Sequence, residues 1–345
     1  FSSYNGATES NIILLNTDGT KDSSFNTGTG FNFGVNVIKE QVNGKIIIAG
    51  DFTTYNSVAQ NRIIILNLDG SIDNSFDIGT GFNNSVNAIA VQNNGTIILG
   101  GNFNDFNNSA QHNIMFLNTD GTKDINFNAG TGLNNSVNSI AIQNDGKIII
   151  GGYFSIYKEK SQNRITRINI DGSLDTSFNI GTGFNNTVNA IAIQNDGKII
   201  VGGEFLTYKG LTQFRIIRLN TDGSRDISFN IGTGFNGGVL SIALQNDGKI
   251  LVGGSFSAYK GIPQNNLIRL NPDGSKDTSF NIGTGFAGSV SIIKVQSDGK
   301  IIIGGNFTTY NGVNVSRVIR LNSDGSLDSS FNTGTGFNFG VNVIK

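Results

Sequence analysis

Hydrophobic and polar residues alternate in short runs along this chain, and the same order of runs returns every 51 residues. In one copy, the aliphatic run Val188–Gln194 is followed by an Asn-Asp-Gly turn and a second run, Lys198–Phe205. A loop that varies between copies leads to Arg215–Asn220, and an Asp-Gly pair leads to a largely polar fourth run, Ser224–Phe229. Short runs separated by Asx-Gly turns predict β-hairpins, and no run has the 3.6-residue period of a helix.

The second Asp-Gly pair marks the register of every copy. These pairs begin at Asp18, Asp69, Asp120, Asp171, Asp222, Asp273 and Asp324. A constant period of this length means that one supersecondary unit has been copied many times. An antiparallel sheet with apolar inner strands and a polar outer strand, stacked on copies of itself, is a propeller blade. The sequence therefore predicts an all-β fold, a seven-bladed β-propeller of four-stranded antiparallel blades.

The strand count supports seven blades but leaves one of them with three strands instead of four. The first, third and fourth runs occur seven times, whereas the second occurs six times, near Lys45, Thr96, Lys147, Lys198, Lys249 and Lys300. We expect a single domain over residues 1–345, closed by pairing of the N-terminal strands (residues 1–30) with Val341–Lys345. The remaining strand would be absent or contributed by residues outside this chain. Six blades plus a partial repeat is the alternative.

Two phenylalanines in each repeat are expected to fill the layers between blades. One follows the Gly-Gly pair, as at Phe205, and the other ends the fourth run, as at Phe229. Burial of each ring contributes roughly 1.5–3 kcal/mol of transfer free energy. The Gly-Gly pair, as at Gly253 and Gly254, predicts a close backbone approach or a β-bulge.

The repeated motif has the form Asn-Asp-Gly-Lys-Ile-Ile-Ile-Gly-Gly-x-Phe, then Arg-x-x-Arg-Leu-Asn-x-Asp-Gly-Ser-x-Asp-x-Ser-Phe. This pattern resembles the delta-60 repeat of bacterial β-propellers, and the match runs through essentially all 345 residues. The resemblance implies a propeller within a large secreted or surface-anchored bacterial protein, and it carries over no catalytic residue. The linker here, Gly-Thr-Gly-Phe, is shorter than in the usual copy, a departure that bears on blade tilt and number.

Composition narrows the classes of function. The chain has 24 Lys and Arg against 25 Asp and Glu, and no basic cluster interrupts the repeats, so nucleic-acid binding is not expected. There is no Cys, which excludes disulfides, thiolate metal sites and cysteine nucleophiles. No apolar run approaches the ~20 residues of a membrane helix, so membrane insertion is not expected.

One aromatic residue in each repeat leads into the variable loop and gives a tentative binding site. This set comprises Tyr55, Phe106, Tyr157, Tyr208, Tyr259 and Tyr310, with Tyr4 at the same position. An exposed circle of rings would stack on sugars or anchor a protein partner. In the favoured interpretation each ring packs under its own loop, because a repeated residue usually serves the repeat.

Recognition is expected in the variable loops, since variation on a rigid scaffold is where binding tends to lie. These loops are Asn56–Asn61, Asn107–Asn113, Lys158–Asn163, Lys209–Phe214, Lys260–Asn265 and Asn311–Ser316.

Metal binding and catalysis find little support in the sequence. The motif with Asn16, Asp18 and Asp22 spaces its oxygen atoms as in a calcium loop, but it lacks the bidentate carboxylate of a full site. A hairpin whose Asp side chains bond local amides is favoured, and neither metal nor cofactor is predicted. His112 is the only histidine, so no Ser-His-Asp set can be assembled, and enzymatic activity is not expected.

Three functions remain open at this point. The first is a non-catalytic scaffold or protein-binding module of a secreted or cell-surface bacterial protein, whose partner is another protein or other regions of a larger parent protein. The second is a lectin-like propeller that binds surface glycan or, with less support, a glycosidase. The third is a structural spacer in a long adhesin or filament, favoured by the identity of Asp22–Lys39 and Asp328–Lys345. The expected location is extracellular or at the cell surface.

Overall fold

The computed structural model describes every residue from Phe1 to Lys345 and consists of strands and turns. Six copies of the repeat form a three-stranded antiparallel sheet in which the second strand lies between the first and the third. The first strands are Val35–Glu40, Val86–Val91, Val137–Ile142, Val188–Ile193, Val239–Leu244 and Val290–Val295. The second strands are Ile46–Gly50, Ile97–Gly101, Ile148–Gly152, Ile199–Gly203, Ile250–Gly254 and Ile301–Gly305. The third strands are Ile63–Leu66, Ile114–Leu117, Ile165–Ile168, Ile216–Leu219, Leu267–Leu270 and Val318–Leu321.

We number these sheets as blades 1 to 6, and residues 341–345 together with residues 1–25 form blade 7. The seven copies confirm the all-β, seven-bladed propeller. The chain forms no helix that could cross a membrane.

The fourth strand is shorter than the sequence predicts. In blade 4 it is a single β-bridge between Leu219 and Arg225, after which the chain turns at once. The Asp226 carboxylate accepts hydrogen bonds from the backbone amide (3.0 Å) and hydroxyl (2.7 Å) of Ser228. Side chains that bond the local backbone compete with a strand ladder, so the sheet stops after one bridge.

The variable loop contains a small hairpin that the sequence did not predict. Each hairpin joins two strands of two residues, and its tip has residues with positive φ, such as Asn56 and Ser57. The pairs are Ser3–Tyr4 with Ala7–Thr8, Thr54–Tyr55 with Val58–Ala59, Asp105–Phe106 with Ser109–Ala110, Ile156–Tyr157 with Lys160–Ser161, Thr207–Tyr208 with Leu211–Thr212, Ala258–Tyr259 with Ile262–Pro263, and Thr309–Tyr310 with Val313–Asn314. A further short strand, Phe286–Ala287, pairs with Thr309–Tyr310.

Neighbouring blades pack through wholly buried aliphatic and aromatic side chains. Phe205 and Phe229 are 0% and 2% exposed, and each belongs to a cluster that spans two blades, as predicted. The Gly-Gly pair allows this approach, since a Cβ added at Gly253 would lie 2.5 Å from Cγ1 of Val290 in the next blade. The predicted bulge is also present, but it lies in the first strand opposite the glycines.

The first strands line the centre of the ring. Half-buried asparagines on four of them donate hydrogen bonds to the next blade, as from Asn189 Nδ2 to the Val239 carbonyl at 3.1 Å. The ring closes where Lys345 Nζ lies 3.3 Å from Glu40 Oε2 in blade 1.

Blade 7 joins the two ends of the chain without the predicted strand pairing. A β-bridge between Tyr4 and Phe337 and a hydrogen bond from Arg320 Nη1 to the Thr17 carbonyl (2.7 Å) connect them. Val341–Lys345 form no strand and no ladder with residues 1–30. The reason is geometric, because first and third strands are separated by a second strand in every complete blade.

Candidate functional site

The antiparallel register places the variable loops and the linkers on one face of the ring. Val35 at the start of a first strand pairs with Gly50 at the end of the second strand. The hairpin that follows Gly50 and the linker that precedes Val35 are therefore adjacent, and Asn32 in the linker donates to the Thr54 carbonyl. We call this side the loop face.

The predicted aromatic circle lies inside the molecule and not on the loop face. Tyr55, Phe106, Tyr157, Tyr208, Tyr259 and Tyr310 are each 6% exposed or less, as is Tyr4. Their tentative role as binding residues is therefore corrected to a structural one. Tyr208 shows the arrangement: its ring lies 4.6 Å from that of Phe184 in the linker, and its hydroxyl donates to the Gly223 carbonyl at 2.6 Å. Six of the seven hairpins are thus anchored to an outer turn of their own blade, whereas Phe106 in blade 2 has no hydroxyl.

Burial also changes the acidity of these tyrosines. Desolvation, with a smaller contribution from the Asp69 carboxylate, raises the pKa of Tyr55 to about 12. The pKa values of Tyr157, Tyr208 and Tyr259 are raised further by the same causes.

The hairpin tips present the exposed residues of the variable loops. Leu211, Ile262 and Val313 occupy the same position in blades 4, 5 and 6 and are 63%, 60% and 53% exposed. Val58 in blade 1 is 50% exposed, and Ser109 and Lys160 hold this position in blades 2 and 3. The result is an apolar arc, which we define as Leu211, Ile262, Val313 and Val58.

Two further apolar side chains stand beside the central opening of the loop face. Phe33 and Phe339 are 57% and 63% exposed and hold equivalent positions in the adjacent blades 1 and 7. Sequence reasoning missed them, although a signal was present, because other copies have Asn or Gly at this position.

The residue after the Gly-Gly pair, or after Ala49-Gly50 in blade 1, varies in chemistry and was also missed. This set is Asp51, Asn102, Tyr153, Glu204, Ser255 and Asn306. Several of its members contact an arginine at the start of the third strand. The Arg164 guanidinium lies 4.2 Å from the centre of the half-exposed Tyr153 ring, and Arg215 Nη1 lies 4.0 Å from Glu204 Oε2.

The Asp-Gly motif acts as a hairpin turn. Asp18 Oδ1 accepts hydrogen bonds from the Thr20 amide (2.9 Å) and hydroxyl (2.7 Å), and these bonds lower the pKa of Asp18. The turn glycine has positive φ, as at Gly223 (+81°). No three side chains among His, Cys, Asp and Glu come together in an arrangement that could hold a metal ion.

Buried ion pairs lie within four of the seven blades. In blade 4, Asp226 Oδ2 accepts from Arg218 Nε at 2.7 Å and from Lys198 Nζ at 2.8 Å. Burial alone would raise the pKa of Asp226, but hydrogen bonds from Lys198, Ser228 and Arg218 outweigh it, and the pKa lies well below its usual range. Arg218 also donates to the Pro272 carbonyl of blade 5, so the network joins adjacent blades.

His112 lies in a polar depression between blades 2 and 3. Its other lining residues include Asn102, Asn104, Asn134 and Ser136. Amide and hydroxyl groups dominate this surface, and the histidine has no carboxylate beside it there.

Comparisons with known proteins agree with the architecture. A family model described as a β-propeller domain of unknown function, DUF5122, matches residues 1–25, 41–76, 92–127, 143–178, 194–229, 245–280 and 296–331. No curated protein matches the chain.

Two solved structures illustrate the fold. One is an extracellular domain from B. thetaiotaomicron, with a TM-score of 0.51 and 17% identity over 88% of this chain, which spans 38% of that one. The other is virginiamycin B lyase from Staphylococcus aureus, with a TM-score of 0.50 and 17% identity over 90% of this chain and 87% of the lyase. At such identities the likeness shows the propeller fold alone. The repeated family matches are decisive, and the chain belongs to the DUF5122 β-propeller family.

Proposed function

We propose that this protein is a non-catalytic binding module whose loop face holds a protein partner. The observation that carries the proposal is the apolar arc of hairpin tips. Three of its four residues lie in consecutive blades, and all four are at least half exposed. Exposed apolar groups gathered on one rigid surface favour association with another macromolecule.

The surroundings of the arc suit a neutral interface. Lys209 and Lys260 lie beside the tips, and their ammonium groups sit 5.6 and 5.5 Å from the ring centres of Tyr208 and Tyr259. With a formal net charge of −1 for the whole chain, no strong field would steer a charged partner. We therefore expect binding that depends on apolar contact and changes little with salt.

The absence of catalysis is part of the same proposal. Carboxylates with lowered pKa values, such as Asp18 and Asp226, are held by turn hydrogen bonds or by interior cations. Groups held in this way have a structural use and are not free to transfer protons to a substrate. The single histidine, His112, lacks a neighbouring carboxylate in its depression.

The resemblance of the repeated motif to delta-60 repeats supports two further parts of the proposal, an extracellular or cell-surface location and membership of the delta-60 repeat family. It favours a secreted or surface-anchored bacterial protein, in which this propeller binds a separate partner or another region of the same parent. A structural spacer would need no apolar arc, so the exposed tips favour recognition over spacing.

Loop-face variants test the proposal. The triple variant Leu211→Ser, Ile262→Ser and Val313→Ser removes most of the arc. The matched control, Ile125→Ser with Ile227→Ser, removes side chains that are 90% and 85% exposed in outer turns. Each protein is immobilised and exposed to the solubilised surface fraction of the source bacterium.

The proposal expects the same protein to be retained by the wild type and by the control, in low and in high salt, and lost from the triple variant. Retention by all three proteins, or loss in high salt, would contradict a role for the arc.

A glycan is the second candidate ligand, and the polar depression beside His112 favours it. The side-chain amides of Asn102 and Asn104 there match the hydrogen-bonding needs of sugar hydroxyls, whereas that of Asn134 already bonds Ser155 and Ile156. Tyr153 adds a half-exposed ring in the next blade, with Arg164 on one side of it. Titration with bacterial surface polysaccharides, using Asn102→Ala and Asn104→Ala variants, distinguishes this candidate, because the triple tip variant would still bind sugar.

A further inference from the structure

Five Asn-Gly pairs occur in this chain, and the fold places them in different surroundings. The pairs begin at Asn5, Asn43, Asn94, Asn236 and Asn311. An asparagine before glycine can react with its own backbone, because glycine has no side chain to shield its nitrogen from the asparagine amide carbon. The reaction turns a neutral amide into a carboxylate and so changes the surface charge. The contacts of each glycine and the ease with which its turn opens decide which pair reacts.

Two of the pairs form the tips of hairpins on the loop face. Asn311-Gly312 is the tip in blade 6, and Asn5-Gly6 is the tip in blade 7. The amide nitrogens of Gly312 and Gly6 donate no hydrogen bond to another backbone group. Both glycines are exposed, and a Cβ added at either would meet nothing within 4 Å. The nitrogen that must attack is therefore free, with open space around it.

The asparagine of the blade 6 tip is held by the linker that precedes the blade. Asn311 N donates to the Gly285 carbonyl at 2.8 Å, and Asn311 Oδ1 accepts from the Thr284 amide at 3.1 Å. Each strand of the hairpin has only two residues, and short isolated pairs of strands are marginally stable in water. A brief opening that rotates the Asn311–Gly312 peptide therefore leaves the asparagine side chain in place and brings the Gly312 nitrogen to its Cγ.

The pairs at Asn43 and Asn94 lie in the turns between first and second strands, where the glycine is held. In blade 1 the Gly44 amide donates to the Gln41 carbonyl at 2.9 Å. Asn43 Oδ1 accepts from the Lys45 amide at 3.1 Å, and the turn of blade 2 has the same two bonds. The flanking strands have six and five residues and pair along their length, so opening this turn disrupts a blade.

The fifth pair has an enclosed glycine. A Cβ added at Gly237 would lie 2.1 Å from the Ser255 carbonyl oxygen and 2.7 Å from Cα of Phe256. The side chain of Asn236 also accepts hydrogen bonds from the amides of Ser257 and Ala258, both at 2.9 Å. The glycine nitrogen cannot swing toward the asparagine without moving this packed backbone, so we expect this pair to react slowly.

Blade 1 provides a natural control at its hairpin tip. Asn56 takes the place of Asn311, and its Oδ1 accepts from the Thr29 amide at 3.2 Å. The residue that follows is Ser57, whose φ of +64° is close to the +77° of Gly312. The two tips therefore share a backbone shape and a held asparagine, and they differ in the Cβ beside the attacking nitrogen. Asn56 should react slowly for that reason.

We propose that Asn311 is a self-modification site, at which the hairpin tip converts its asparagine to aspartate and isoaspartate through a cyclic imide, and that Asn5 reacts in the same way. The Gly312 nitrogen forms a bond to Cγ of Asn311, and its proton passes through water to Nδ2. The Cγ–Nδ2 bond breaks and ammonia leaves. Water then opens the imide at either carbonyl carbon. The reaction needs no oxidant, reductant or cofactor.

The products alter the loop face in two ways. Both add a negative charge beside Val313, and isoaspartate also lengthens the main chain of a two-residue turn by one methylene. In the aspartate product a carboxylate oxygen still accepts from the Thr284 amide, so the change is confined to the tip. The chemical step does not depend on the proposed function, although Val313 belongs to the apolar arc.

Peptide mapping by mass spectrometry measures the reaction on the intact folded chain. The protein is incubated in mildly alkaline buffer and digested, and each Asn-Gly pair is followed by the mass gain on replacement of NH by O and by the separate elution of isoaspartyl peptides. Asn311 and Asn5 should react at least about tenfold faster than Asn43 and Asn94. In concentrated urea the four rates should lie within about threefold of one another, because the fold sets the difference.

Two reciprocal variants exchange the tips of blades 1 and 6. Gly312→Ser copies the tip of blade 1 and should slow the reaction at Asn311 at least about tenfold. Ser57→Gly copies the tip of blade 6 and should create a new reactive site at Asn56, with a rate within about threefold of that at Asn311. Both positions are exposed, so circular dichroism and thermal melting should be unchanged.

Several results would overturn the proposal. One is a rate at Asn311 in the folded protein that does not exceed the rate at Asn43. Another is a ranking of the pairs that persists in urea, because sequence alone would then explain it. An unchanged rate in the Gly312→Ser protein, or no reaction at Asn56 in the Ser57→Gly protein, would also overturn it.

Discussion

Blades 2 and 4 fill one interior position with different chemistry. In blade 4, Arg218 lies 4.9 Å from the centre of the Phe229 ring and binds Asp226. In blade 2 the equivalent residue is Phe116, whose ring stacks on Phe127 with 3.6 Å between centres and 3° between planes. The same backbone therefore accepts a flat cation or a flat apolar ring over the phenylalanine.

The other blades also have either an arginine or an apolar residue at this position. Blades 3, 5 and 6 have the arginine, as Arg167, Arg269 and Arg320, whereas blade 1 has Ile65 and blade 7 has Leu14. The fold does not need the ion network at this position, although each network adds a hydrogen bond to the following blade, as from Arg269 to the Ser323 carbonyl. Burying an ion pair gains little over apolar packing, but leaving one of its charges unpaired is costly.

Removal of the Asp226 carboxylate should give the largest loss of unfolding free energy. Asp226→Ala leaves Arg218, which is 6% exposed, buried without its partner, and we expect a loss of about 3–5 kcal/mol in the free energy of unfolding. Asp124→Ala in blade 2 is the control. It removes the hydrogen bonds that the backbone and side-chain amides of Asn126 donate to Asp124 Oδ1, and it removes no ion pair, so about 0.5–1.5 kcal/mol is expected. Urea unfolding at pH 7 measures both, and equal losses would show that the two blades do not differ.

Acid should destabilise the blades with networks. The pKa values of Asp175, Asp226, Asp277 and Asp328 are lowered in the folded protein. Their stabilising contribution is complete above the pKa of the unfolded chain, about 3.9, and is lost as pH falls toward the lower folded values. Urea midpoints should be constant from about pH 7 to 5 and should decrease from about pH 4 downward. Constant midpoints down to pH 2.5 would contradict this linkage.

The hydroxyl of the buried tyrosine should give a smaller difference in unfolding free energy between blades 2 and 4. Tyr208→Phe removes the hydrogen bond to the Gly223 carbonyl and should cost about 1–2 kcal/mol in thermal or urea unfolding. Blade 2 has Phe106 at this position, so the reverse change, Phe106→Tyr, is the matched test. It should be neutral or stabilising, because the Gly121 carbonyl lies at the equivalent place. A large loss from Phe106→Tyr would show that blade 2 is packed differently.

Conversion of blade 2 into the charged type should have the smallest effect. Phe116→Arg together with Thr96→Lys supplies both cations to Asp124 and keeps Phe127 for stacking. We expect a change in unfolding free energy of less than about 1.5 kcal/mol at pH 7, because buried ion pairs and apolar packing are nearly equivalent. The decrease in acid should become steeper, since a fifth network is present. A loss of several kcal/mol at pH 7 would show that the position in blade 2 is specific for an aromatic ring.

Periodicity in the sequence predicted the repeat, the blade number and the buried strands, since a strand such as Ile199–Gly203 is apolar on both faces. It overestimated the length of the fourth strand. Asp226 and Ser228 fit the polar pattern of an edge strand, although their side chains form a turn. It also could not distinguish an exposed from a buried aromatic circle, since Tyr208 has an apolar ring and a polar hydroxyl that suit both places. Only the carbonyl of Gly223, fifteen residues away, decides between them.

The remaining features of the loop face depend on tertiary contacts. The hairpin tips form through residues with positive φ, and two of these in blade 3 are Lys158 and Glu159, which give no turn signal in a sequence. The exposure of Phe33 and Phe339 likewise follows from their place beside the ring centre. That the variable loops carry recognition stays a prediction, and their partner is a proposal.

The small hairpins have a consequence for engineering. Each is tied to its blade by short backbone pairing and by one tyrosine or phenylalanine beneath it. The first tip residue also donates a backbone hydrogen bond to a linker glycine, as Asn56 does to the Gly30 carbonyl at 2.8 Å, while the residues after it, such as Ser57 and Val58, are exposed. Foreign peptides inserted between the two strands of a hairpin would therefore leave the interior undisturbed. Since seven such positions point the same way around one circle, the molecule could serve as a multivalent display platform in which each copy carries a different epitope.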